Sequence, residues 1–335
     1  MPKSKPGATP KMADVARAAG VSPALVSIVM RGVGGASDET RARVLRIADE
    51  LGYVPDRRAQ QLRQTASRLI GVTFEVQQTF HGDLVEHLYA AAAERGYDVV
   101  ISAVAPTRTE REALRTLLRE RCEAIVMVGS RLSDNELHEI GSQLPAVVVA
   151  RASGARDVSS VRSDDIAGVG LAIEHLVSLG HRDIVHIDGS DAPGSVDRRR
   201  GALDAGHRFG VDVRIVAGGP TEASGAAATR GLLAAGSLPS GVVAFNDRCA
   251  AGVLDTLIRA GVDVPGTVSV VGYDDSRLAE LSYLQLTTVS QNASELSRSA
   301  IDTALALVSG LHPDPVVLTP RLVVRSTTGP VGAAV

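Results

Sequence analysis

Apolar residues follow two different rhythms along the chain, and the change comes near residue 67. Before it, every periodic stretch has helical spacing. "MADVARAA" (Met12–Ala19) puts Val15 and Ala19 on one face and stops at Gly20, a residue suited to the left-handed turn that ends a helix. Ser22 offers an N-cap and Pro23 a first helical residue for a second helix to about Met30, where Gly32, Gly34 and Gly35 break it. Together the two have the rhythm of a helix-turn-helix. Ser37 opens a third helix, with Asp38 and Glu39 in the turn where the dipole favours anions and an apolar stripe of Val44, Leu45, Ala48 and Leu51. Gly52 ends it and Pro55 closes the unit. After residue 67, strand-like runs alternate with helical stretches: Leu69–Phe74, Asp98–Val104, Ala124–Val128, Ala146–Ala150, Asp183–Asp188, Val213–Ala217, Gly241–Phe245 and Val268–Asp274. Apolar strands separated by helices predict parallel sheet covered on both faces. There are too many units for one sheet. The expected fold is an all-α helix-turn-helix head followed by an α/β body of two doubly wound parallel-sheet subdomains, with a cleft at the carboxyl ends of their strands.

Composition sharpens this division. The chain has 335 residues, is 44% hydrophobic and carries a net charge of −3. Residues 1–65 hold eleven Lys or Arg against six Asp or Glu, a surplus of five that leaves the remainder at −8. A basic head on an acidic body points to a polyanion partner for the head alone. The tail, residues 1–10, reads as disordered, and "DRRAQQLRQT" (Asp56–Thr65) reads as a basic linker too short to be a stable helix by itself. Cys122 and Cys249 are the only cysteines, which fits a reducing cytoplasm rather than a disulfide framework. The N-terminus lacks the apolar core of an export signal, and no run reaches the ~20 residues of a membrane span. No lysine follows Lys11, so a P-loop is impossible; His138–Glu139 is followed by Ser142 where a zinc protease needs histidine; no G-x-S-x-G elbow occurs. Neither an enzyme, a cofactor nor a metal is expected.

Several motifs then fall in one order. "DVARAAGVSPALVS" and "SDETRARVLRIADELGYVPDRRAQQLR" lie in the head. "IGV" (Ile70–Val72), "SDDIAG" (Ser163–Gly168), "LGHRDIVHIDG" (Leu179–Gly189), "RRRG" (Arg198–Gly201), "FND" (Phe245–Asp247), "VSVVGYDD" (Val268–Asp275) and "LTTVSQ" (Leu286–Gln291) lie in the body. From about Lys11 to Thr328 the chain resembles the lactose/galactose repressor (LacI/GalR) family. That resemblance implies a homodimeric transcriptional regulator, most simply a repressor, that binds double-stranded palindromic operator DNA. It also implies a periplasmic-binding-protein-like body holding a sugar-like small-molecule effector between subdomains. The implied organisation is a DNA-binding domain at 11–55, a hinge helix at 56–66 and an effector-binding and dimerisation domain at 67–335. Within the last, one subdomain takes about 67–167 and 293–321, the other about 168–291 and 322–330. A solute-binding protein without specific DNA binding is the competing class, against which the basic head and the missing export signal count.

The second helix departs from the family where it matters most. Pro23, Ala24 and Ile28 occupy the base-reading positions, and Ile28 stands where most members carry an arginine able to bond guanine. Ala24, Leu25 and Ile28 can offer apolar contact to thymine methyls. Ser22, Ser27, Arg31, Thr40 and Arg41 can hold phosphates. Val26 and Val29 are expected inside the head. Leu62 matches the family's minor-groove wedge, which would unstack a base step and kink the duplex; Arg57 and Ala59 accompany it in the hinge, and Met12 completes the expected DNA contacts. In the body the resemblance assigns effector contacts to Arg198, Asn246, Asp274 and Gln291, with Asp164 a further candidate. Phe74, Phe80 and Phe245 are the available stacking residues in a chain without tryptophan. Asn246 by itself also reads as a helix cap, and Phe245 as strand core.

Overall fold

The computed structural model describes residues 10–30, 34–53 and 66–332. The basic tail before residue 10, together with Arg31, Arg57, Ala59 and Leu62, lies outside them. The chain divides into two compact units, Met1–Ser67 and Arg68–Val335.

The head is three helices, α1 (Met12–Ala19), α2 (Pro23–Met30) and α3 (Asp38–Glu50). Each boundary has a local cause. Gly20 takes φ +66° after α1, and the Val21 amide donates to the Ala16 carbonyl at 3.0 Å. Ser22 Oγ accepts from the Leu25 amide at 3.2 Å, and Ser37 Oγ accepts from that of Thr40 at 3.3 Å. Val15, Ala16, Ala19, Val26, Val29, Val44 and Ala48 form the core. The α3 stripe departs from expectation: Leu45 is 46% exposed and Leu51 39% exposed. Val44, Ile47 and Ala48 pack inward instead. Leu45 lies one residue, about 100°, round from Val44, and Leu51 caps the helix rather than continuing its inner face.

The body holds two six-stranded sheets. The first is ordered β11-β5-β4-β3-β1-β2, from β1 (Leu69–Glu75), β2 (Asp98–Val104), β3 (Ala124–Val128), β4 (Ala146–Val149), β5 (Val158–Ser163) and β11 (Val316–Leu318). The second is ordered β12-β10-β9-β8-β6-β7, from β6 (Asp183–Ile187), β7 (Asp212–Val216), β8 (Gly241–Ala244), β9 (Ser269–Asp274), β10 (Thr287–Ser290) and β12 (Arg321–Val323). Every pairing is parallel except β10 with β12. Helix α4 (Thr79–Glu94) and α11 (Ala293–Val308) pack together on the first sheet. Between them in sequence come α5 (Glu110–Arg119), α6 (Asp134–Gly141), α7 (Asp165–Ser178), α8 (Ser195–Phe209), α9 (Glu222–Ala234) and α10 (Asp247–Arg259). The last four belong to the second lobe.

The chain passes between the lobes three times, at 163–165, 290–293 and 318–321. The first crossing comes a few residues earlier than expected because Asp164 caps α7 and starts it at Asp165. Four strands, β5, β10, β11 and β12, were not expected. Two of these, "VSSVRS" and "TTVS", bury hydroxyls beside isolated valines (Val158, Val161 and Val289), so no apolar run marks them. Helices α9 and α10 meet backbone to backbone: a Cβ at Gly252 would lie 1.9 Å from the Glu222 carbonyl oxygen, and one at Gly225 would lie 2.1 Å from that of Cys249. This close approach fixes the N-terminus of α10, which carries cleft residues. Among the described residues no single helix is long and apolar enough to cross a membrane.

Candidate functional site

On the head, Ser22, Pro23 and Ala24 are exposed at the start of α2, and Leu25, Ser27 and Ile28 are half-buried. Val26 and Val29 turn into the core as expected. The outer face of this helix is therefore an apolar ridge with one internal hydroxyl. Ile28 leans over Gly35, where a Cβ would sit 3.6 Å from Ile28 Cγ2. Thr40 and Arg41, at the start of α3, are half-buried; Thr40 Oγ1 accepts from Ser37 Oγ at 2.9 Å. Met12 packs against the head core with only part of its surface open.

In the body, loops from both sheets meet at a cleft beyond the strands' carboxyl ends. The first lobe contributes Glu75, Gln78, Phe80, His81, Gly129, Arg131 and Ala150. The second contributes Ala192, Pro193, Arg198, Pro220, Phe245, Asn246, Asp274 and Gln291. Six of the seven residues singled out from the sequence, Phe80, Arg198, Phe245, Asn246, Asp274 and Gln291, thus share one cavity. Asp164 does not line it. Its carboxylate accepts from the Ala167 amide at 3.0 Å, so the cap explains this residue. Asp165, the next residue, is the one turned inward.

Arg198 is the centre. It is 4% exposed, which excludes the solvated charge run that Arg198–Arg200 suggests. Its Nε donates to Asp165 Oδ1 at 3.0 Å and its Nη1 to the Phe245 carbonyl at 2.7 Å. Nη2 lies 3.7 Å from Asp274 Oδ1. The guanidinium sits between two rings, 3.8 Å from the Tyr273 centroid and 4.7 Å from that of Phe245. Phe245 and Phe80 each serve twice, in a lobe's core and on the cleft wall. Phe74 packs on the first lobe's core and is not on the wall.

Asp274 ends β9 at φ +110°, a left-handed conformation that costs about 1–3 kcal/mol in a residue with a side chain. Its Oδ1 accepts from Gln291 Nε2 at 2.7 Å. Burial pushes the Asp274 carboxyl well above the usual carboxylate range; Arg198 opposes the shift and Asp247 adds to it. Asp247 stands behind, accepting from Thr288 Oγ1 at 2.6 Å and from the amide and hydroxyl of Ser276, both at 2.8 Å. As placed, the Gln291 amide nitrogen faces the Asp274 carboxyl and its Oε1 points elsewhere; that buried atom has no hydrogen-bond partner. Asn246 accepts from the Cys249 amide at 2.9 Å and donates to the Pro220 carbonyl at 3.3 Å, so it caps α10 and lines the cleft at once.

On the opposite wall His81 Nδ1 accepts from the Glu75 amide at 3.1 Å. Burial, with Arg131 adding, holds its pKa down to about 4, so the ring is neutral at pH 7 and carries its proton on Nε2. Asp165, Tyr273, Glu75, Gln78, His81 and Arg131 were missed in the sequence. "SDDIAG" does offer two adjacent acids, but nothing in it says which one faces inward. Among the described residues no cluster of three or more His, Cys, Asp or Glu could hold a metal. The groups that converge suit a polyhydroxylated ligand: fixed acceptors, two guanidiniums (Arg131 and Arg198) and an apolar wall.

Comparison with known proteins follows the same division. Residues 11–56 match the family described as bacterial regulatory proteins, lacI family, and residues 173–328 match the periplasmic binding protein-like domain. The HTH-type transcriptional regulator GalR of Salmonella typhimurium is 34% identical over 325 residues, covering 93% of this chain and 94% of the relative. A LacI transcriptional regulator from a Rhodococcus species is 55% identical at TM-score 0.77, over 78% of this chain and 99% of that one. The lac repressor dimer, solved bound to operator and the anti-inducer ONPF, is 28% identical at TM-score 0.79, over 96% of this chain and 100% of that one.

Proposed function

The chain belongs to the lacI family of bacterial regulatory proteins and is a DNA-binding transcriptional regulator rather than an enzyme; from that premise we propose that it is a cytoplasmic repressor acting as a homodimer on palindromic operator DNA, its affinity set by a sugar or related polyol held in the cleft.

The observation that carries the effector reading is Gln291 Oε1, a buried acceptor without a partner beside Asp274. Leaving such an atom unpaired costs about 1–3 kcal/mol. A ligand hydroxyl donating to it recovers that cost. Arg198, Asn246, Asp274, Gln291, Phe80 and Phe245 are the proposed effector contacts. The basic head, which a plain solute carrier has no use for, supports the DNA reading. Pro23, Ala24, Leu25 and Ile28 would meet thymine methyls, while Met12, Ser22, Ser27, Arg31, Thr40 and Arg41 position the head on the backbone. Arg57, Ala59 and Leu62 would act at the operator centre. With no long polar side chain on α2, much of the discrimination falls to the hinge and to DNA shape.

A thermal-shift screen of the full-length protein against pentoses, hexoses, sugar phosphates and nucleosides tests the effector half. A ligand at a hundred times its Kd stabilises by about 2.7 kcal/mol, a rise of several degrees in Tm. The same compound should change the mobility shift of the gene's own upstream DNA, and Gln291→Leu should abolish the thermal response. A compound that stabilises Gln291→Leu as well as it does the wild type would place the ligand elsewhere.

A further inference from the structure

Outside the cavity the two lobes touch through arginines that the effector reading leaves unused. Arg248, the second residue of α10, is gripped by both carboxylate oxygens of Glu222 and points its Nη1 across the cleft to the Gln77 carbonyl at 2.5 Å. Arg277, in the loop after β9, donates its amide to Asp83 Oδ2 at 3.1 Å. Its Nε lies 3.4 Å from Asp83 Oδ1, and its Nη2 bonds Glu86. Asp83 and Glu86 are on α4, in the other lobe. A third pair, Arg131 with Asp191 at 3.4 Å, crosses at the mouth.

The positions of these residues along the chain give them a role. Arg248 is two residues from Asn246, and Arg277 three from Asp274. Their targets, Gln77 before and Asp83 and Glu86 after, flank Gln78, Phe80 and His81. The contacts to Gln77 and Asp83 are thus tied, within a turn of backbone, to a cleft residue on both sides, and Glu86 lies one turn further along α4. A ligand that shifts the start of α4 against α10 must strain these contacts or settle them.

We propose that Arg248 and Arg277 form a latch that holds the lobes closed, and that effector acts on lobe angle partly by loading or releasing it. The use by effector rests on the function proposed above; the latch itself does not. The outer pair of the latch is weak. Arg277 and Glu86 are 65% and 57% exposed. An exposed pair shifts an equilibrium by about two- to five-fold. Such contacts bias an equilibrium between open and closed lobes without locking it.

The latch can be tested without knowing effector or operator. Ala192 is buried on the cleft wall. Alkylation by iodoacetamide of the thiol introduced by Ala192→Cys, read by peptide mass spectrometry on the full-length chain, reports how often the lobes part. Arg277→Ala should raise that rate about two- to five-fold. Glu86→Ala should raise it when Arg277 is present and leave it unchanged when Arg277→Ala is already made. Glu222→Ala, which frees Arg248, gives a second and independent increase. In 1 M NaCl, where charges are screened beyond about 3 Å, the unsubstituted latch should approach the Arg277→Ala rate. Buried Cys249 is the folding control, and its rate stays flat. Unchanged rates in Arg277→Ala, additive effects of Glu86→Ala and Arg277→Ala, or a parallel rise at Cys249 each overturn the proposal. None of those results touches the thermal-shift test of the effector site.

Discussion

Arg198→Met removes the cation from the middle of the cleft at nearly constant volume, and its cost follows from what it leaves behind. Asp165 and Asp274 are both buried, and Arg198 is the cation paired with each. Losing one hydrogen bond to the Phe245 carbonyl costs about 1 kcal/mol. Loss of the stacking on Tyr273 and Phe245 is of similar order, and methionine sulfur recovers part of it. Stranding a buried carboxylate by removing its partner costs about 3–5 kcal/mol, so this effect dominates. Asp274 escapes most of it. Burial pushes its carboxyl up to about 8 even beside Arg198, so it largely holds its proton at neutral pH and more firmly still without that cation. Asp165 therefore bears the penalty. Urea unfolding followed by far-ultraviolet circular dichroism should show the body destabilised by about 3–5 kcal/mol in Arg198→Met. Arg198→Met with Asp165→Leu should return to within about 1–2 kcal/mol of wild type, since replacing a whole buried pair by apolar groups is close to neutral. A loss below about 1 kcal/mol in the single variant would falsify this account, and a double variant as unstable as the single one would move the cost away from Asp165.

Acid should act through His186. It is fully buried, its Nδ1 donates to the Val243 carbonyl at 3.0 Å, and burial holds its pKa down to about 4. Above pH 6.5 both folded and unfolded chains hold it neutral and it has no effect; between 6.5 and about 4 only the unfolded chain gains the proton, so stability falls by at most about 3 kcal/mol. His186→Gln should remove its share of that slope and leave that of His81, which burial likewise holds down to about 4; an equally steep curve in the variant would assign the slope to other groups. On the head, selection of full-length protein on randomised duplex should return a well-defined operator centre and loosely defined outer positions, while Ile28→Arg should add a preferred guanine. A sharp guanine preference already present with Ile28 would contradict the methyl-contact reading.

Local chemistry explains which features could be read from sequence. Gly20, Ser22 and Ser37 mark helix ends because each supplies a φ or an acceptor that the backbone needs at that place, and all three act as such in the head. Val- and Ile-rich strands are legible for the same reason. Thr287–Ser290 is not, because its buried threonines satisfy their hydroxyls on Thr328 and Asp247, partners far away in the chain. Leu45 and Val44 look alike in the sequence, yet packing puts only Val44 inside. Arg198 shows the limit most clearly. The run Arg198–Arg200 reads as solvated charge, and family resemblance alone singled out its first member. What buries Arg198 is α8 lying close on α7, close enough that a Cβ at Gly201 would sit 2.6 Å from the Ile166 carbonyl oxygen. No periodicity encodes that approach, and it is also what brings Asp165, rather than Asp164, to the guanidinium.

The energies of latch and ligand have to be matched for the switch to work. Moving lobes from nearly all open to nearly all closed takes a differential of about 5.5 kcal/mol. The exposed Arg277–Glu86 pair at about 0.2–1 kcal/mol and the less exposed Arg248 hydrogen bond to Gln77 at about 1 kcal/mol fall short of that, so they can hold a bias but not decide the state. The deciding energy must come from groups whose partners change with ligand, and in the cleft those are the orphaned Gln291 Oε1 and the buried Asp274 carboxyl. Satisfying a buried orphan recovers about 1–3 kcal/mol and a neutral hydrogen bond adds about 1 kcal/mol, so several ligand hydroxyls together reach the required differential. If the latch were buried and strong, the same hydroxyls could not reverse it. The exposure of Arg277 and Glu86 is therefore a requirement of the mechanism, and burying that pair should cost responsiveness before it costs stability.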